Sequence, residues 1–144
     1  MRRVYVDANV FLYAVGHDSP YRDPARRVIG ALADQTVAAE TSVLTLQEVV
    51  NHRRRRGDRR PAGRGREIDR LCTVRPATRE LLLAALDLVD GHPHLIPADA
   101  VHAATALAHG VGTIITGDDD FDRFPDLRRV DLLDGASMAA VLGN

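Results

Sequence analysis

The chain has 144 residues, 45% of them hydrophobic, and a formal net charge of −1, which fits one globular domain over residues 1–144 with material for a core. No apolar run approaches the roughly 20 residues that cross a bilayer. The N-terminal segment MRRVYVDANVF is not a signal peptide, because Asp7 and Asn9 interrupt its apolar run. The single cysteine, Cys72, excludes an internal disulfide and a multi-cysteine zinc site, so we expect a cytoplasmic protein with no membrane association.

The first half of the chain alternates short β-branched runs with segments of helical spacing. Pro24 suits the first turn of a helix, and the Thr-Ser pair at 41–42 suits the start of another. The patterns predict a strand over 2–6, helices over 7–15 and 23–34, a strand over 36–41, and a helix over 42–56.

An arginine-rich segment follows. All 19 basic residues of the chain are arginine, and residues 53–66, RRRRGDRRPAGRGR, hold eight of them and one aspartate. The segment therefore carries +7 and the remainder −8, an asymmetry that indicates a polyanionic partner. The alternative is a solvated helix end. Because residues 57–65 contain three glycines, one proline and no apolar run, they are predicted to form a loop.

The absence of lysine excludes Schiff-base chemistry and a P-loop lysine.

The second half continues the alternation of helices and strands. It is predicted to contain a short helix over 66–72, a short strand over 73–76, helices over 78–91 and 97–110, strands over 111–116 and 128–134, and a terminal helix over 135–143. Short apolar strands that alternate with helices predict an α/β fold with a mostly parallel central sheet.

Carboxylates follow two of the predicted strands. Asp7 follows the strand 2–6, and the stretch TGDDDF at 116–121 follows the strand 111–116. In parallel α/β sheets, ligands collect outside the carboxyl ends of the strands, so both groups are expected to face one crevice. A turn or helix cap is the alternative for at least one of Asp118, Asp119 and Asp120.

Two further acids are candidates for the same crevice. Glu48, one of four glutamates, lies among apolar residues of the helix 42–56, and Asp99 lies near the start of the helix 97–110. A solvated helix position for Glu48 and a favourable first-turn position for Asp99 are the alternatives. Several carboxylates in one pocket repel one another unless a cation neutralises them. Carboxylate oxygens favour Mg²⁺ or Mn²⁺, which suit the hydrolysis of phosphodiester bonds.

The motifs YVDANVFLYA, an isolated Glu48, PADAVHAATA and IITGDDDF, in this order, resemble those of the PIN-domain ribonucleases. Within that family the chain most resembles the VapC-type toxins of bacterial toxin–antitoxin pairs, over essentially its whole length. The resemblance implies a small α/β/α sandwich, a divalent-metal-dependent endoribonuclease, inhibition by a co-encoded antitoxin, and a homodimer. The apolar residues Phe11, Leu12 and Tyr13 are expected to exceed the needs of the core and to serve such an interface.

The resemblance also implies roles for particular residues. Asp7, Asp99 and Asp118 would hold the principal metal ion, with Asp120 as a further acid. Glu48 would bind a second metal or orient the attacking water. Asn9 and Thr116 would fix the carboxylates by hydrogen bonds.

Some alternatives stay open. His102 lies three residues after Asp99, hence on the same helix face, and is either a general acid or a histidine packed against the sheet. A catalytically silent RNA- or partner-binding module with the same fold is a second function. A haloacid-dehalogenase-like phosphatase is a third, although that family requires an acid at the position of Asn9 and a late lysine. Arg53, Arg54, Arg55 and Arg56 are expected to bind RNA phosphates without selecting its sequence.

Overall fold

A computed structural model describes residues 1–143 of the chain. Its secondary structure consists of strands β1 Arg3–Val6, β2 Ala38–Ser42, β3 Thr73–Arg75, β4 Thr113–Thr116 and β5 Arg128–Asp131, helices α1 Ala8–Val15, α2 Arg22–Ala33, α3 Val43–Arg55, α4 Pro61–Leu71, α5 Arg79–Gly91, α6 Pro97–Ala108 and α7 Gly135–Leu142, and a short 3-10 helix, Asp119–Arg123. Among these described residues, no helix combines the length and the apolarity that crossing a membrane requires.

The five strands form one sheet in the order β3-β2-β1-β4-β5, and every pairing is parallel. The chain therefore moves outward from β1 in one direction and then crosses back to continue through β4 in the other. The boundary between β1 and β4 is the topological switch point, where ligands gather in open α/β sheets. This confirms the predicted fold class.

Apolar side chains cover both faces of the sheet. Val4, Val6 and Ile115 pack on one face with α1, α2, α3 and α7. Tyr5 and Ile114, the neighbours of those residues along β1 and β4, pack on the other face with α5 and α6. Because successive side chains of a strand point to opposite faces, both faces of these short strands are buried, and the molecule has three layers.

The prediction of a loop over 57–65 is wrong for its second half, because α4 begins at Pro61. Proline suits the first helical position, where its missing N–H is not needed. Gly65 is buried, and a Cβ there would lie 2.9 Å from Cγ2 of Val50 on α3. That glycine therefore allows two helices to approach closely and does not mark a loop.

The expected surplus of apolar residues on α1 is absent at Phe11 and only partial at Leu12 and Tyr13. Phe11 is buried in the core, and Leu12 and Tyr13 are partly buried against the same cluster. These residues are used by the fold because α1 lies directly on the sheet. Cys72 is a free, buried cysteine.

Candidate functional site

Asp7 lies directly beyond the end of β1. Its backbone N–H continues the pairing with β4 by donating to the carbonyl of Ile115 at 3.2 Å. Its side chain caps α1, because Oδ1 accepts a hydrogen bond from the Ala8 N–H at 2.8 Å. The residue is 6% exposed. Burial raises the pKa of this carboxyl above its usual range, although His102, Thr116 and Ala8 favour the charged form.

Thr116 is the hub that joins Asp7 to the end of β4. Its hydroxyl donates to Asp7 Oδ2 at 2.8 Å, and it accepts from Asn9 Nδ2 and from the Asp118 N–H, each at 3.0 Å. Asn9 in turn accepts from the Gly117 N–H at 3.4 Å. Both oxygens of Asp7 are therefore fixed by donors, and Asn9 and Thr116 occupy the positions at which the sequence predicted supporting groups.

Three other acids converge beside this hub. Asp99 in the first turn of α6, Asp118 after β4, and Asp120 in the 3-10 helix each place one carboxylate oxygen within 4.8 Å of the other two. Asp118 also caps the 3-10 helix by accepting from the Asp120 N–H at 2.9 Å. The alternative of a cap thus holds for Asp118, but it coexists with membership of the cluster. Asp119 is exposed and is not one of the three clustered acids.

This cluster fits a divalent cation. Asp99 Oδ2 is buried and has no hydrogen-bond partner among the described residues, so a carboxylate oxygen is left without the compensation that burial requires. Three partly buried carboxylates and no nitrogen or sulfur ligand form the donor set that hard cations such as Mg²⁺ and Mn²⁺ prefer.

The negative charge of the cluster affects the pKa of Asp99. Burial, followed by the negative charges of Asp118 and Asp7, raises the pKa of Asp99 to about 7. Burial and the repulsion of neighbouring carboxylates are the two effects on Asp99 that a bound cation would offset.

Glu48 lies on α3, at the edge of the site. It is not one of the three clustered acids, and its side chain is 33% exposed. Its Oε1 lies 3.1 Å from Nε2 of His102, which is 1% exposed. The other ring nitrogen, Nδ1, lies 2.6 Å from the hydroxyl of Tyr5 on β1.

The charges of these groups are coupled. Burial alone would lower the pKa of His102, but the hydrogen bond to Glu48 and the charges of Asp7, Glu48 and Asp99 raise it overall. Burial raises the pKa of Tyr5, so its phenol keeps its proton. His102 packs against the sheet, as one of the two interpretations predicted, and it also contacts Glu48.

A groove of about 880 Å³ is lined by Asn9, by residues of α1 and by the end of α3. Its lining includes His52, Arg53 and Arg56 as well as Tyr13 and Tyr21. The two tyrosine rings stack with centroids 4.6 Å apart. Basic and aromatic side chains in one groove suit a nucleic-acid strand.

The arginines of this region differ in whether they are paired with an acid or exposed to solvent. Arg53 Nε donates to Asp58 Oδ2 at 3.0 Å, and Arg64 Nε donates to the same oxygen at 3.1 Å. Arg54, Arg55 and Arg56 are exposed at the end of α3. Four basic residues in the last turn also complement the helix dipole.

Comparison with known proteins identifies the family. The PIN domain family model matches residues 4–127. The chain belongs to the PIN domain family.

Its relatives within the PIN family are VapC proteins, as the resemblance indicated. The chain is 35% identical to Ribonuclease VapC7 of Mycobacterium tuberculosis over 98% of this chain and 99% of the relative. It is 34% identical to Ribonuclease VapC23 of the same species over 80% and 92% of the two chains. The family assignment decides against the haloacid-dehalogenase alternative.

Solved structures show the same PIN fold. The structure of Mycobacterium tuberculosis VapC20, described as a sarcin-ricin loop cleaving toxin, aligns with a TM-score of 0.69 at 20% identity, over 87% of this chain and 98% of that one. A toxin–antitoxin complex from Klebsiella pneumoniae aligns with a TM-score of 0.67 at 19% identity, over 90% and 97%.

Two features around the PIN site are absent from the sequence predictions: the contact of Tyr5 with His102, and the groove beside the stacked Tyr13 and Tyr21. Strand periodicity was a usable signal for Tyr5, because it lies two residues before Asp7 and thus points to the same face of the sheet. The groove depends on how α1 and α3 pack, for which the sequence carries no comparable signal.

Proposed function

We propose that this PIN domain, acting as one unit over residues 1–144, is a divalent-metal-dependent endoribonuclease and the toxin of a type II toxin–antitoxin pair. The observation that carries the proposal is the cluster of Asp99, Asp118 and Asp120 at the switch point of the sheet, beside Asp7 and with a buried, unpaired oxygen on Asp99. The names of the relatives, ribonucleases VapC7 and VapC23, support it. Since such an enzyme acts on cellular RNA, its place of action would be the cytoplasm.

Asp7, Asp99, Asp118 and Asp120 would hold Mg²⁺ or Mn²⁺, directly or through water. When bound, the ion supplies positive charge for the scissile phosphate and makes water a stronger nucleophile. Thr116 and Asn9 keep the Asp7 carboxylate in one orientation. Glu48, which is partly exposed, would orient the attacking water or contribute to a second metal site. Water, and not a side chain, is the nucleophile.

The site residues are tested by conservative substitution. Asp7→Asn, Asp99→Asn and Asp118→Asn should each abolish cleavage of RNA, because an amide cannot supply the charge that holds the ion. A loss of at least about 100-fold is expected. Asp119→Asn is the matched control, since this neighbouring aspartate is exposed and lies outside the cluster. Circular dichroism checks that every variant is folded.

The same assay separates the enzyme from a catalytically silent module. If any two of the three variants cleave RNA as well as the parent, the assigned site is wrong. If the parent itself does not turn over RNA with Mg²⁺ or Mn²⁺, the silent module is the better description.

The choice of metal gives a second expected outcome. Mg²⁺ or Mn²⁺ should support cleavage and EDTA should stop it. Ca²⁺ should bind without supporting comparable turnover, because its looser coordination positions water poorly. Cleavage rates after dialysis and addition of each ion measure this, and full activity in EDTA would point to a metal-free ribonuclease.

We also propose a cognate antitoxin as a partner. Its basic side chain would approach the acidic cluster and compete with the metal ion, because four acids in one crevice attract any cation. The solved Klebsiella pneumoniae structure is titled a toxin–antitoxin complex. Loss of metal binding on addition of the antitoxin would be measured by calorimetry.

The homodimer remains a proposal, now on a different surface. Leu82, Leu83 and Leu86 on α5 are 44–48% exposed and form an apolar patch. Light scattering at micromolar concentration should give the mass of a dimer, and replacing Leu82 and Leu86 by Lys should give that of a monomer. A parent that is already monomeric would count against this proposal.

A further inference from the structure

His102 is a buried residue that contacts Glu48, the partly exposed acid at the edge of the site. The ring lies on α6, three positions from Asp99, and is 1% exposed. It spans from Tyr5 on the central strand to Glu48 on α3, with contacts of 2.6 and 3.1 Å at its two nitrogens. It thus connects three elements that each contribute an acid to the site or immediately precede one.

The chemistry of the three partners determines the direction of the hydrogen bonds. A carboxylate can only accept, so Nε2 must carry a proton to bond Glu48. In the neutral ring Nδ1 is then an acceptor, and the Tyr5 hydroxyl donates to it. Glu48 thus selects the ring form, and the Tyr5 hydroxyl satisfies the nitrogen that this form leaves as an acceptor.

We propose that His102 is a positioning residue that holds the Glu48 carboxylate at the metal site, while the Tyr5 hydroxyl anchors the other nitrogen of the ring. The inference rests on the proposed function in one respect, namely that Glu48 belongs to the site. Without this contact, a glutamate on a helix surface has three rotatable bonds and adopts several rotamers. With it, the carboxylate is fixed by a ring that is itself locked in the core.

Simple core packing is the competing interpretation. His102 and Tyr5 make an edge-to-face contact with ring centroids 5.7 Å apart, which is a favourable arrangement whatever Glu48 does. Under that interpretation, replacing His102 lowers stability and leaves metal binding unchanged in the variant that remains folded.

The first experiment measures the ring form directly and needs no variant or metal. Long-range ¹H–¹⁵N correlation NMR of the parent protein distinguishes a ring protonated at Nε2 from one protonated only at Nδ1. A proton at Nε2 is expected. A neutral ring with its only proton at Nδ1 cannot donate to Glu48 and would overturn the proposal.

The second experiment compares His102→Leu with His102→Gln, whose amide nitrogen can still donate to Glu48. Mn²⁺ affinity by calorimetry and kcat should both fall in the leucine variant, with a combined loss of about 10- to 100-fold and an unchanged KM for RNA. The glutamine variant should recover most of this loss.

A Glu48→Ala background completes the test. There, His102→Leu should weaken Mn²⁺ binding no further, because the group that it positions is gone, whereas any loss of thermal stability should persist. Additive effects on Mn²⁺ affinity would overturn the proposal. Proton location and Mn²⁺ affinity are measured without RNA. A parent that binds Mn²⁺ but does not cleave RNA therefore refutes the proposed function and leaves this inference standing.

Discussion

The acids of the site differ in what holds them. Each oxygen of Asp7 accepts a hydrogen bond, from the Ala8 N–H and the Thr116 hydroxyl, whereas Asp99 Oδ2 has no partner among the described residues. A carboxylate held by hydrogen bonds keeps its place without a cation, but a buried unpaired oxygen has no such compensation. At the scale of the residue, Asp99 is therefore the acid whose behaviour should change most when metal is removed.

Asp99 should make the metal-free protein less stable as the pH rises. The pKa of its carboxyl is raised to about 7 in the folded state from 3.8. Between these values the folded state binds a proton that the unfolded state has lost, so this contribution to stability falls as the pH rises through the window. Asp99→Asn cannot ionise and should escape the loss. Its melting temperature in EDTA should exceed that of the parent at pH 8, and by much less at pH 4.5. Each kcal/mol by which the substitution removes the cost of a buried, repelled charge raises the melting temperature by about 3 °C.

The exposed Asp119 provides the control for this prediction. Asp119→Asn should show no difference from the parent that changes with pH. Adding Mn²⁺ at pH 8 should raise the melting temperature of the parent more than that of Asp99→Asn. An equal response of the two proteins to pH would show that Asp99 ionises without penalty.

At the scale of the element, the contact between α3 and α4 depends on Gly65. A helical Gly→Ala substitution ordinarily stabilises by about 0.5–1 kcal/mol. At Gly65 the added Cβ would lie 2.9 Å from Val50, a β-branched side chain with little rotamer freedom. We expect Gly65→Ala to lower the free energy of unfolding by about 1–3 kcal/mol. Gly63→Ala is the matched control, because its nearest neighbour would lie at 3.6 Å. Urea unfolding measures both, and equal stability of the two variants would contradict the packing argument.

The start of α4 is a part of the fold that the sequence does not predict. The strand 111–116 and the helix 97–110 were predictable because apolar runs and stop signals are local. Residues 61–65 were not, because Gly65 serves a contact with Val50 that no local signal reveals. The acids could be proposed from their places after β1 and β4. The bond from His102 to Glu48 joins positions 54 residues apart on α6 and α3, and only the tertiary fold brings them together.

In the molecule as a whole, acids and arginines lie in different places. The acids lie at the carboxyl edge of the sheet, and the arginines lie at the end of α3, where Arg53 and Arg56 line a groove that also contains Asn9, a neighbour of the acids. A phosphate backbone bound at the arginines would be led toward the acids, where a metal ion would offset the repulsion. The arginine segment should therefore set the affinity for RNA, while the acids set the chemistry.

Replacing Arg54, Arg55 and Arg56 by Gln should weaken RNA binding equally for all sequences, because these exposed residues can reach phosphates but offer no fixed geometry to base edges. Each lost phosphate contact should flatten the dependence of log affinity on log salt by about 0.7 for a single strand. Arg53→Gln should chiefly destabilise the turn at Asp58.

Titrations of one RNA at three salt concentrations, with EDTA to prevent cleavage, measure the dependence of affinity on salt. Mapping of the cleaved RNA in Mg²⁺ should show that the cleavage site has not moved. A variant with Gln at the exposed Arg70, Arg79 and Arg128 loses the same charge elsewhere and should keep most of the slope. If the first variant binds RNA as the parent does but no longer binds the antitoxin, the segment is a protein-docking surface.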